Sequence, residues 1–183
     1  MKKSLLLLIL LVVAQLGMTQ PSVHYKFYNN YLGNTLPDFD TLGVPDAVGV
    51  TDRLDLIGVP GTTADHYALS FDYVLNVSTQ EPYTFMLCSD DGSRFYLDGK
   101  ILIDNDGAHS PIYKDTVVAL SAGSHNIKVE YFEKWRSQSL SLFYKTPTQR
   151  RMQIGEKEMP DNLDFAESQA EETMRRIMDW KGE

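Results

Sequence analysis

Hydrophobic and polar residues alternate with a period of two through most of the chain between residues 23 and 145. Tyr67, Leu69, Phe71, Tyr73, Leu75 and Val77 occupy every second position, with mostly small or polar residues between them. Successive side chains of a strand point to opposite faces, so this spacing predicts a long strand with one buried face. Val23, Tyr25 and Phe27 repeat the pattern, and Tyr83, Phe85 and Leu87 repeat it before a turn over 89–93. Phe95 and Leu97 lead into Asp98-Gly99, and Ile101 and Ile103 follow. Asp-Gly between apolar runs marks a hairpin, because a type I′ turn needs positive φ at both central residues. Strands are also predicted at 117–120 and 125–133, on either side of Ala122-Gly123, and at 140–145. The expected fold is all-β, an antiparallel sandwich.

Two stretches depart from this period. Residues 29–66 carry Pro37, Pro45, Pro60 and five glycines, and read as a long ordered wrapping segment with one short strand or helical turn. From Pro160 onward, Leu163, Ala166, Ala170, Met174 and Ile177 recur at spacings of three and four, which is one face of a helix. Acidic residues (Asp161, Asp164, Glu167) open it and basic ones (Arg175, Arg176, Lys181) close it, matching the helix dipole. The expected organisation is a sandwich over 21–150, then a linker and C-terminal amphipathic α-helix over 151–183. That helix packs on the sandwich, docks a protein partner or a second copy, or is a loosely attached tail.

The first twenty residues change the picture of where the protein works. Lys2 and Lys3 precede an apolar run from Leu5 to Val13, followed by small and polar residues. That order predicts a secretory signal peptide over 1–20, too short to span a membrane. The expected location is secreted, periplasmic or extracellular, in a bacterium. Without Lys2 and Lys3 the formal charge moves from −8 to −10. So acidic a chain repels phosphate backbones, and no nucleic acid is expected as partner. Cys88 is the only cysteine, so no internal disulfide can form and a buried thiol is expected.

Catalytic signatures do not occur. The four histidines precede Tyr25, Tyr67, Ser110 and Asn126, so no His-Glu-x-x-His zinc helix exists, and neither a Gly-x-Ser-x-Gly elbow nor a phosphate loop is found. Asp104-Asn105-Asp106-Gly107 does not fit a calcium EF-hand, since Leu102 and Tyr113 fall at positions one and twelve. An Asx turn is expected there, followed by a structurally hydrogen-bonded His109.

The informative stretch is Ser89-Asp90-Asp91-Gly92-Ser93-Arg94, then Leu97-Asp98-Gly99-Lys100 and Asp104-Asn105. Leu120-Ser121-Ala122-Gly123-Ser124-His125 and Val129-Glu130-Tyr131-Phe132-Glu133 follow downstream, and Leu36-Pro37-Asp38-Phe39 precedes. Over roughly 23–146 the chain resembles the PA14 family. The resemblance implies a β-sandwich module of the kind attached to secreted glycosidases, adhesins and toxins. In sugar-binding members two consecutive aspartates, joined by a cis peptide, hold a calcium ion that coordinates sugar hydroxyls. Asp90 and Asp91 match that pair. The asparagine of the later loop corresponds to Glu133 here, a departure that adds a carboxylate and removes an amide donor. The carbonyls of Trp135 and Ser137 would complete the metal shell.

Read from residues alone, Asp90-Asp91-Gly92 serves equally as a tight turn. Trp135 is either a stacking platform for a sugar ring or an ordinary loop aromatic. The expected function is therefore a non-catalytic carbohydrate or glycan-binding module, with calcium as its cofactor and Asp90, Asp91 and Trp135 at the ligand. The alternative is a structural or protein-interaction module that uses the C-terminal helix or a sheet face.

Overall fold

A computed structural model of the protein describes residues 22–156. The chain runs β1 (Val23–Asn29), β2 (Ala47–Thr51), β3 (Tyr67–Val77), β4 (Glu81–Asp90), β5 (Ser93–Leu97), β6 (Lys100–Asn105), β7 (Ile112–Leu120), β8 (Gly123–Glu133), β9 (Ser139–Lys145) and β10 (Met152–Gln153). Two sheets form, of order β2-β1-β3-β8-β5-β6 and β10-β9-β4-β7, and every pairing is antiparallel. Among the described residues there is no helix. The expected signal peptide and C-terminal helix lie outside the described residues.

The alternating positions meet between the sheets. Phe71, Phe85, Phe95, Val129 and Leu142 are fully buried there. Phe85 of one sheet and Phe95 of the other have ring centroids 4.9 Å apart. Truncating either to alanine would remove contacts worth about 3–5 kcal/mol. The hairpin turn also forms as its chemistry demands, with φ of 49° at Asp98 and 79° at Gly99.

Three features differ from the sequence reading. The first half of β3 is buried on both faces, because Ala68 packs with Tyr28 and Phe132 beneath Tyr31, Leu36, Phe39 and Leu42. The wrapping segment therefore forms a second, smaller core on the outside of the larger sheet. It contains the one anticipated strand, β2, and is anchored by Tyr31 N–H on the His66 carbonyl (2.9 Å) and Leu36 N–H on Asp106 Oδ1 (2.6 Å). Second, β7 begins at Ile112, ahead of the 117–120 run. Its first residues are exposed, so no alternation marks them. Third, the sandwich does not end at 150. β10 pairs with β9, and Met152 and Ile154 are buried, which corrects the expected linker start at 151. Two residues are too few to display a period.

Candidate functional site

One of the two shortest links between the two sheets creates the site. β4 ends at Asp90 in the smaller sheet, and β5 begins at Ser93 in the larger, leaving only Asp91 and Gly92 between them. The Asp90–Asp91 peptide bond is cis. Gly92 is required by contact: a Cβ there would fall on the Phe132 ring and within 2.8 Å of the Gly107 backbone. The Gly92 carbonyl accepts the Phe132 N–H at 3.0 Å, which ties the link to β8.

β8 then delivers Glu133, its last residue, to the same place. Asp90, Asp91 and Glu133 are all buried, and oxygens from the three lie within 4.8 Å of one another. Asp91 is held on both oxygens: His109 N–H donates to Oδ1 at 2.8 Å and Lys134 N–H to Oδ2 at 2.9 Å. The Tyr131 hydroxyl contacts the Asp90 carbonyl and lies 2.9 Å from Glu133 Oε2. Below the link, Ser89 Oγ and Ser93 Oγ are 2.6 Å apart, and Asn105 Nδ2 donates to Ser89 at 2.9 Å. The His109 ring lies between the Ser110 and Asn105 carbonyls, 2.9 Å from each.

The electrostatics are those of crowded negative charge. Burial, with the charges of Asp91, Asp90 and Asp65, pushes the Glu133 carboxyl up to about 7, against the hydrogen bond from Tyr131. Burial and the Asp91 charge also raise Asp90, partly offset by His109. Among the described residues, no Lys or Arg side chain forms a salt bridge with any of the three. Glu133 Oε1 is buried and has no hydrogen-bond partner.

This donor set fits a hard divalent cation. Calcium takes six to eight oxygens at about 2.3–2.6 Å, so ligands on opposite sides of one ion are about 5 Å apart. Three carboxylates spaced within that limit, with one oxygen left unpaired, match the requirement. Each Asp91 oxygen that accepts a backbone N–H keeps a second lone pair.

Of the residues expected at the site, Asp90, Asp91 and Glu133 come together. Trp135 and Ser137 lie on the exposed loop that follows Glu133. Trp135 is 54% exposed, with the Lys134 ammonium 4.0 Å from its ring centroid. Tyr131, Asp65 and Gly92 carry geometry that sequence reading did not assign. For Tyr131 a signal existed: it lies two residues before Glu133 and shares its strand face.

Comparison with known proteins places this fold. Over 88 residues the chain is 31% identical to the anti-sigma-I factor RsgI3 of Acetivibrio thermocellus, a match covering 48% of this chain and 14% of that protein. The chain thus spans about one seventh of that relative's length. Among solved structures, a PA14 sugar-binding domain from an RTX adhesin superposes with a TM-score of 0.63 at 14% identity, covering 74% of this chain and 96% of that one. An anti-sigma factor domain-containing protein superposes at 0.61 with 24% identity, covering 78% and 50%. The PA14 domain family model matches residues 26–158, most of the chain, and this protein belongs to the PA14 domain family.

Proposed function

We propose that this chain is a secreted, non-catalytic carbohydrate-binding module whose ligand is recognised through a calcium ion. Asp90, Asp91 and Glu133 hold the ion, and the carbonyls of Trp135 and Ser137 complete its shell. When bound, calcium offers open coordination positions to paired sugar hydroxyls, and Trp135 borders the ring. The observation that carries this reading is the buried cluster of three carboxylates with an unpaired Glu133 oxygen and, among the described residues, no Lys or Arg salt bridge to any of the three. At the family level, the sugar-binding adhesin domain that shares the fold supports carbohydrate as the ligand class.

Thermal unfolding with excess calcium, and then with a chelator, tests the ion. A saturable rise in Tm that disappears in Asp91→Asn is expected, since a ligand that binds only the folded state stabilises it by mass action. A chelator-insensitive Tm would remove the ion from the mechanism.

A second reading has its own observation. The outer face of the smaller sheet carries Tyr113 and Val117, both largely exposed, and Tyr113 lines a groove of about 310 Å³ with Met86 and Phe143. Such a face serves a protein-interaction module, and the match to part of a sigma-factor regulator is compatible with that role. Among the described residues, no helix is long and apolar enough to cross a membrane.

A further inference from the structure

The loop 134–138, between β8 and β9, is pinned at three points. One pin comes from the carboxylate cluster, through Lys134 N–H on Asp91 Oδ2. The other two reach the turn before β3: Arg136 N–H donates to Asp65 Oδ1 at 3.2 Å, and Gln138 Nε2 donates to the Thr62 carbonyl at 2.9 Å. That turn is itself a firm base. Thr62 is buried, and its hydroxyl bonds the Val59 carbonyl at 2.9 Å and the Leu56 carbonyl at 3.1 Å.

Arg136 has φ of 82°, a left-handed conformation that side chains other than glycine adopt only when their surroundings hold them there. Its N–H meets Asp65. Among the described residues no Lys or Arg side chain forms a salt bridge with Asp65, so the contact its carboxylate makes to the loop is this backbone bond. The residues on either side of Arg136 in the chain are Trp135 and Ser137, the two whose placement beside the cluster the carbohydrate reading requires.

We infer that Asp65 is a positioning residue for the ligand site: by accepting the Arg136 N–H it fixes the shape of the 134–138 loop, which carries Trp135 and follows directly on Glu133. The inference rests on the carbohydrate reading for its purpose, although the clamp itself is a feature of the loop. Asp65 acts as a hydrogen-bond acceptor here, so asparagine, which keeps a side-chain oxygen, substitutes for it and alanine does not.

The test uses the full chain with Trp180→Phe, which leaves Trp135 as the sole tryptophan. Terbium(III) is the probe for the cation site, with luminescence excited where tryptophan alone absorbs. Asp65→Ala is expected to make Trp135 more accessible to acrylamide quenching. It is also expected to lower Trp135-sensitised terbium luminescence at saturation about threefold or more, while terbium affinity changes less than the roughly tenfold that losing a charged ligand hydrogen bond causes. Asp65→Asn is expected to restore both signals. Unchanged quenching in Asp65→Ala, or failure of asparagine to rescue, would overturn the clamp. If the parent chain takes up no terbium, the carbohydrate reading falls, and the quenching comparison still decides the role of Asp65.

Discussion

The Tyr131 hydroxyl lies 2.9 Å from Glu133 Oε2 and also meets the Asp90 carbonyl, so one buried phenol joins two strands that belong to different sheets. A hydroxyl has a single proton, and neither a carbonyl nor an ionised carboxylate can donate one. The single phenol proton therefore serves two acceptors, and its bond to Glu133 Oε2 opposes the rise that burial imposes on that carboxyl.

Tyr131→Phe removes that hydroxyl and leaves the Asp90 carbonyl and Glu133 Oε2 without it in a buried setting. The expected loss of stability is about 1–3 kcal/mol, the cost of stranding buried polar groups. Denaturant unfolding of the variant measures it. A change below about half a kcal/mol would show that the phenol is dispensable.

The cluster makes stability depend on pH in a defined direction. The Glu133 carboxyl titrates at about 7 in the folded protein, against an ordinary value of 4.5, so the folded state binds more protons in that interval. In chelator, stability is therefore greatest below pH 4.5 as far as this group is concerned. It falls as pH rises toward 7, by up to about 3 kcal/mol. Glu133→Gln is expected to flatten this slope, and saturating calcium to reverse it. Urea melts at several pH values, with chelator and with calcium, decide the matter.

His125 and Asp98 form a second pH-dependent pair, 2.7 Å apart, at the opposite ends of β5 and β8 from the acidic link. The hydrogen bond to Asp98, with one to the Ser121 carbonyl, raises His125 above its ordinary 6.5. The same contact lowers Asp98 below 3.8. The His125 contribution is complete below pH 6.5 and disappears as pH rises through its folded value. The Asp98 contribution is present above 3.8 and disappears on acidification. Because Asp98 is half exposed, solvent screens the pair, and His125→Gln is expected to cost under about 1 kcal/mol at pH 5.5. At pH 9 the cost should vanish, which thermal melts at the two pH values would reveal.

Gly92→Ala probes the link sterically. The added methyl meets the Phe132 ring and the Gly107 backbone, neither of which can swing aside as the end of a flexible side chain does. A destabilisation of about 1–3 kcal/mol is expected, together with a weaker calcium response. A variant with parental Tm and parental calcium response would mean that the backbone yields there at no cost.

Much of the fold was legible because burial on one face imposes period two. Strands β1, β3, β4, β5, β8 and β9 carry that period in plain view, and the Asp98-Gly99 turn announces its own geometry. The signal failed where its physical basis was missing. The start of β7 has no buried face, β10 is two residues long, and the first half of β3 is covered on both sides by a segment that has no period of its own. At the site, Asp90, Asp91 and Glu133 were legible through the family pattern, since they lie in quotable motifs. Asp65 was not legible, because its partner is a backbone N–H some seventy residues away and any acceptor would serve. Loop shape is set by such long-range contacts, and no local spacing encodes it.

The two-residue link at Asp91 and Gly92 has a mechanical consequence. The described chain begins on the larger sheet, at β1, and finishes on the smaller one, at β10. Tension that separates the layers is carried in part by the crossing at Asp91 and Gly92, one of five covalent spans between the two sheets among the described residues. An ion gripped by Asp90, Asp91 and Glu133 would act there as a rivet between the layers, so that occupancy sets how much force the domain withstands as well as what it holds.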